Sequence, residues 1–212
     1  MKKIDHKILI ITCIICLLPI ILGLIFYNEL PQSIAVHFNI KNNPDGFMTK
    51  GFFVFGFPII MCIIQSFICI FMDVKEQNPE ANRKILFITK LIMPIVTVVM
   101  YVVTIIYSSG TLLDIRKIVM ILLGIMFLVL GNYLPKTVDS TSMNIPKITD
   151  EKTNIKVKKI YGYMFIINGL LAIVSTLFTY VASIGVIALV FLESIALYVY
   201  ALIKNKESKI KL

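Results

Sequence analysis

The chain has 212 residues, of which 58% are hydrophobic and 16% charged, with a mean hydropathy of +0.89. That is more apolar surface than a soluble domain of this size can bury, so a bilayer is implied and a soluble globular enzyme is excluded. The formal charge of +9 is assigned to cytoplasmic segments that set membrane topology, and no direct nucleic-acid partner is expected.

A span needs about 20 predominantly apolar residues, and six runs of about that length follow one another along the chain. This predicts an all-α, polytopic protein with six transmembrane helices in one membrane domain over residues 1–212. The first span covers about 8–27 and contains Pro19 and Gly23. Its apolar run is too long for a signal-peptide core and has no small-residue exit, so an uncleaved span is expected. The loop over 28–50 that follows is the one connection that reads as shaped. Pro31 fixes a backbone angle at the exit of the span. Asn42-Asn43-Pro44-Asp45-Gly46 sets turn formers in the order of a tight reversal, with Pro44 at a first central position and Gly46 where positive φ is tolerated.

Span two, about 51–72, places Gly51, Phe55, Pro58, Cys62, Gln65 and Cys69 along a stripe suited to other helices, opposite an Ile, Phe and Met face suited to lipid. A charged connection over 73–84 contains Asn78-Pro79, a helix boundary signal. Span three, about 85–107, carries Lys90 and Pro94 near one end and lines up Thr97, Tyr101, Thr104 and Ser108. Span four, about 118–134, closes in Gly131-Asn132-Tyr133-Leu134-Pro135-Lys136, where Asn132 and Pro135 read as a helix ending. A polar, lysine-rich inner loop spans 136–159. Span five, about 160–180, aligns Asn168, Ala172, Ser175 and Thr179, and span six, about 183–203, holds Glu193 near its middle.

Orientation follows from the basic residues. With the N-terminus inside, inner segments hold 16 Lys and Arg, and outer segments hold Lys41, Lys50, Arg116 and Lys117. Both termini are therefore expected in the cytoplasm and the loop 28–50 outside.

A charge at mid-membrane depth costs about 2.5–3.5 kcal/mol and by default marks function. Glu193 is accordingly either a proton or cation site, partnered by the Asn168/Ser175/Thr179 face or by Lys90, or a neutral carboxyl hydrogen-bonded between helices. His37 and Asp45 share the outer loop and are placed to approach one another, as a scaffold for recognition. A metal site would want three or four ligands, and the loop offers only Glu29, His37 and Asp45. Cys13, Cys16, Cys62 and Cys69 all lie in apolar runs and read as reduced packing residues. Neither a metal nor a cofactor is expected, and no nucleophile accompanies the His37–Asp45 pair, so the chain is not expected to be an enzyme.

Two stretches resemble a known family. Leu30-Pro31-x-x-Ile34-Ala35-Val36-His37-Phe38-Asn39, with Pro44-Asp45-Gly46-Phe47 and Lys50, resembles the N-terminal domain of unknown function of SdpI-type membrane proteins. Leu130-Gly131-Asn132-Tyr133-Leu134-Pro135-Lys136 resembles that family's second signature, and the likeness extends over about residues 8–175. The best-known member of that family protects a Gram-positive producer from its own secreted killing peptide and induces its own expression by holding a small autorepressor at the membrane. The resemblance therefore implies an immunity protein of a bacterial cytoplasmic membrane. Its implied partners are a secreted peptide toxin and a small transcriptional repressor, and its binding residues are Pro31, His37, Asn39, Pro44, Asp45 and Gly46. After the second signature, members continue with a Gly-x-Arg-Thr-Pro-Trp-like segment and a later Trp. Here the chain reads Ser142-Met143-Asn144-Ile145-Pro146-Lys147 and has no Trp at all, which weakens the implied repressor capture. The alternative reading is a small transporter or ion-coupled permease in which Glu193 and the intramembrane polar groups Asn168 and Gln65 line a path.

Overall fold

The computed structural model describes residues 4–138, 148 and 150–210, with side chains through Glu207 in the last helix. Helix dominates. Its elements are α1 (His6–Leu17), α2 (Pro19–Ile25), β1 (Ser33–Phe38), β2 (Pro44–Thr49), α3 (Phe57–Lys75), α4 (Arg83–Ser108), α5 (Ile115–Tyr133), α6 (Glu151–Ser175) and α7 (Tyr180–Ile210). A π-helical turn, Phe52–Gly56, leads into α3. Six stretches are long and apolar enough to cross a membrane: His6–Ile25, Phe52–Lys75, Arg83–Ser108, Ile115–Lys136, Glu151–Ser175 and Tyr180–Glu207. The chain is thus a multi-pass membrane protein.

The chain packs as two compact units. The first comprises 1–74 and 87–118, and its core is Leu30, Ile34, Phe53, Val54, Tyr101 and Ile105. Tyr101 is fully buried, stacks on Phe53 with ring centroids 4.5 Å apart, and crosses α2 where Gly23 leaves room for its hydroxyl. The expected face of span three is present: Thr97, Tyr101 and Thr104 are buried, and the Ser108 hydroxyl oxygen is buried too. On α3, Pro58, Gln65 and Cys69 are buried, while Ile59, Ile63, Phe67 and Phe71 are exposed and fit lipid. Phe55 leaves the expected stripe because the π-helical turn shifts the helical register there, and it is exposed. The four cysteines are free thiols; Cys13 Sγ lies 3.1 Å from Ser66 Oγ, and Cys69 Sγ accepts from Gln65 Nε2 at 3.1 Å.

The second unit comprises 75–86 and 119–212. Here α5 and α6 approach backbone to backbone at two glycine pairs spaced seven residues apart on each helix. A Cβ on Gly124 would lie 2.7 Å from Gly169 O, and one on Gly131 would lie 2.7 Å from Gly162 O. The converse Cβ atoms meet Gly124 O and Gly131 O at 2.7 and 2.8 Å. Such reciprocal small-residue pairs let membrane helices gain dispersion contact and weak Cα–H···O bonds. The closing helix α7 is the most exposed span, with 6% of its apolar window buried and Phe191, Leu192 and Ile195 open for lipid.

Several expected boundaries move. Helix α6 begins at Glu151, capped by Asp150 accepting from the Thr153 amide at 2.8 Å, well before the apolar run that starts at Ile160. It ends at Ser175, so Thr179 lies beyond it and is exposed, off the face formed by Asn168, Ala172 and Ser175. The polar inner loop is therefore shorter than 136–159. Its residues 139–147 and 149, Pro146 among them, lie outside the described residues.

Candidate functional site

Between α2 and α3 the expected tight reversal joins two strands, β1 and β2, in an antiparallel hairpin. Its β-branched and aromatic run Ile34-Ala35-Val36-His37-Phe38 has strand propensity, and Ile34 anchors it by inserting into the aromatic core at 0% exposure. The reversal lies earlier than the turn formers predict, its positive φ four residues before Gly46. Asn39, not Pro44, organises it: the Asn39 amide donates to Asn43 O at 2.8 Å, and Asn39 Oδ1 accepts from the Lys41 and Asn43 amides at 2.9 and 3.1 Å. The positive φ falls on Asn42, at 64°, a value asparagine tolerates better than most side chains. Pro44 starts β2, where a missing N–H is acceptable. Gly46 pairs with His37, and a Cβ there would lie 2.7 Å from His37 Cβ, so Gly46 serves close strand approach rather than a turn.

The register slips on either side of the His37–Gly46 pair, leaving Val36 and Asp45 without Cα partners. This irregularity brings His37 Nδ1 to 2.5 Å from Asp45 Oδ1, with the two side chains 73% and 41% exposed. Of the residues expected to bind, His37 and Asp45 thus converge on an exposed face. Asn39 is consumed by the turn, and Pro31 and Pro44 are exposed backbone-shaping residues.

Two side chains fix the hairpin to the helices, and the sequence reading gave neither of them that anchoring role. Asn42 Nδ2 donates to Leu113 O at 2.8 Å, and its Oδ1 accepts from the Ile115 amide at 2.9 Å. Lys50 folds under the hairpin, 8% exposed, and its Nζ donates to Tyr27 O and Leu30 O at 3.1 and 3.0 Å while lying 4.7 Å from the Tyr27 ring centroid. It thereby satisfies carbonyls left open just past the end of the first span. Beside this anchor, Asp114 caps α5 by accepting from the Lys117 amide at 3.1 Å, and Arg116 pairs with it at 3.1 Å. Burial pushes the Asp114 carboxyl up, but the bonds from Arg116 and the Lys117 amide, with both cations, outweigh it and hold the group below its ordinary value. Leu22, Phe26, Val102, Ile105 and Ile106, with the hydroxyl-bearing Ser109, line an apolar cleft of about 320 Å³ in the same unit.

A second polar cluster of the first unit lies within the helices. Asp73, expected in a charged connection, belongs to the last turn of α3 and forms an ion pair with Lys90 at 2.5 Å, with side-chain exposures of 7% and 1%. Its other oxygen accepts from the Asp5 amide at 3.0 Å, and Gln65 Nε2 donates to Lys90 O at 2.8 Å. Lys90 therefore pairs with Asp73, and Glu193 has its partner in Asn168, whose Nδ2 donates to Glu193 Oε2 at 2.8 Å in the second unit. In the inner signature, Gly131 and Pro135 both face Gly162, which explains their spacing by one helical turn. Asn132 is exposed and accepts from Lys136 Nζ at 3.2 Å. Among the described residues no group of three or more His, Cys, Asp or Glu side chains is placed to hold a metal ion.

Comparison with known proteins gives one family. Residues 14–62 match the model of a domain of unknown function, DUF1648, a stretch that runs from α1 through the hairpin into α3. No curated protein and no solved structure matches the chain.

Proposed function

We propose that this is an SdpI-like membrane immunity protein of a bacterial cytoplasmic membrane that gives resistance to a secreted antimicrobial peptide and catalyses no reaction. The observation that carries the reading is the anchored hairpin with His37 and Asp45 exposed on it, inside the segment that matches the DUF1648 model. Lys50 and Asn42 hold this hairpin through side-chain hydrogen bonds to the backbone, a rigidity that recognition needs and a tether does not. In this reading the hairpin faces the outside, as the distribution of lysine and arginine favours, the His37–Asp45 face meets polar groups of the peptide, and the apolar cleft beside α2 and α4 takes a hydrophobic side chain. A signalling role through a membrane-held repressor would fall to the opposite side. The test is expression in a peptide-sensitive strain challenged with the toxin encoded nearest this gene: survival supports the reading, and unchanged killing counts against it.

The Glu193–Asn168 contact favours a second reading, a small ion-coupled permease. Liposome flux that is the same for wild type and Glu193→Gln would remove it.

A further inference from the structure

Helix α7 meets α6 through polar groups that include Ser183, 3.3 Å from Ser175 Oγ, and the ionisable Glu193. Glu193 lies near the middle of the span Tyr180–Glu207 and accepts from Asn168 Nδ2. Asn168 is 4% exposed, and its Oδ1 is buried without a hydrogen-bond partner. Both side chains line a small, partly open cavity of about 10 Å³, shared with Phe127, Phe165, Tyr161 and Ser194. That is room for about one water molecule.

An unsatisfied amide oxygen in this setting is costly, and a carboxylate in a membrane span is costlier still. One proton relieves both. A protonated Glu193 carries an O–H donor, and the acceptor it needs is the Asn168 oxygen already buried beside it. The ionised form needs a donor, which Asn168 Nδ2 supplies. Either end of the amide can therefore partner Glu193, Nδ2 the ionised form and Oδ1 the protonated form.

We propose that Glu193 is a reversible proton-binding site in the membrane interior, with the Asn168 amide as the partner of both protonation states. The step is simple acid–base exchange: the carboxylate oxygen gains the proton that water releases, the O–H bond forms, and no other bond changes. A metal cation fits the cavity poorly, because Glu193 and the Asn168 oxygen give too few ligands for sodium and the described residues hold no metal-binding group. Of the other cavity residues, Tyr161 on α6 is the titratable one; α5 contributes Phe127, and α7 adds the hydroxyl of Ser194, which donates to Val190 O. The inference does not rest on the immunity reading and holds or fails independently of it.

The test uses the full chain in detergent or liposomes with a hydrophobic carbodiimide, which adds the acid O–H of a protonated, lipid-facing carboxyl across its C=N bond and leaves carboxylates unmodified. Mass spectrometry should map the adduct to Glu193, with labelling that falls as pH rises across a series. Glu193→Gln should abolish the adduct. Asn168→Leu should move the labelling midpoint up by about one pH unit, since a hydrogen bond to the charged form is the stronger one; Asn168→Ala serves as the second variant if the first is not monodisperse. Labelling of Glu193 that ignores pH, its absence throughout the series, or protection by sodium at constant ionic strength would overturn the proposal.

Discussion

The two units of this protein hold their helices together by opposite means. In the unit of 1–74 and 87–118, long side chains reach across gaps: Tyr101 on Phe53, Lys50 onto Tyr27 O and Leu30 O, Asn42 onto the start of α5, Lys90 onto Asp73. In the unit of 75–86 and 119–212, side chains are absent where it matters, and α5 meets α6 through Gly124, Gly131, Gly162 and Gly169. Side-chain clamps fix direction as well as distance, so the first style suits a unit that must present an exposed face in one geometry. Glycine pairs fix distance alone, and α7 stays largely exposed, with Glu193 meeting Asn168 near the middle of its span.

The largest expected effect breaks the first style at its buried ion pair. Lys90→Met leaves Asp73 without its cation at 7% exposure and should cost about 3–5 kcal/mol in a denaturant titration, whereas pairing it with Asp73→Leu should return most of the loss. A smaller effect breaks the second style. Gly131→Ala drives a methyl to within 2.7 Å of Gly162 O and should cost about 1–3 kcal/mol through forced separation of α5 and α6, while Gly185→Ala on α7, with open space around it, should change little. Comparing the two Ala variants by thermal midpoint in detergent sharpens the contrast.

Much of this was legible in the sequence. Six spans, the buried face of α4 and the packing side of α3 follow from apolar length and helical spacing. So did the approach of His37 to Asp45, whereas for Glu193 the sequence left the Asn168/Ser175/Thr179 face and Lys90 as alternatives. What was not legible needed contacts distant in sequence. Asp73 reads as a loop residue because charges flank the apolar run, and only Lys90, on the next helix, makes its burial affordable. The turn formers after Asn42 point to Pro44 and Gly46, yet the side chain of Asn39 accepts two backbone amides and its own amide donates a third bond, which outcompetes them. Helix α6 starts in a lysine-rich stretch because Asp150 caps it and Val157 and Ile148 are buried there, a core of its own with Ala201. Glycines in a span read as weak points until the facing glycines are known.

A further contrast lies in the hairpin's anchor. Asn42→Gly keeps the positive φ and removes only the two bonds to Leu113 and Ile115, so it should cost about 1–2 kcal/mol and speed hydrogen exchange of the Ile115 amide. Unchanged exchange would mean the hairpin is held by Lys50 and Ile34 alone. The smallest effect is expected at Asp114. Because its folded-state carboxyl is held below the ordinary value of 3.8, the stability it adds is fully present above that value and is lost as pH falls through the lower folded value. Asp114→Asn should therefore lose a small increment at neutral pH and match wild type in strong acid, with salt reducing the difference because the group is partly exposed.

The most direct measurement is protection of a peptide-sensitive strain by Asp45→Ala at equal membrane abundance. The His37–Asp45 pair is exposed and contributes about 0–1 kcal/mol to folding, so the variant should accumulate and melt like wild type. Loss of protection with the fold intact is the result expected if the hairpin face recognises the peptide. Full protection by the same variant would contradict it.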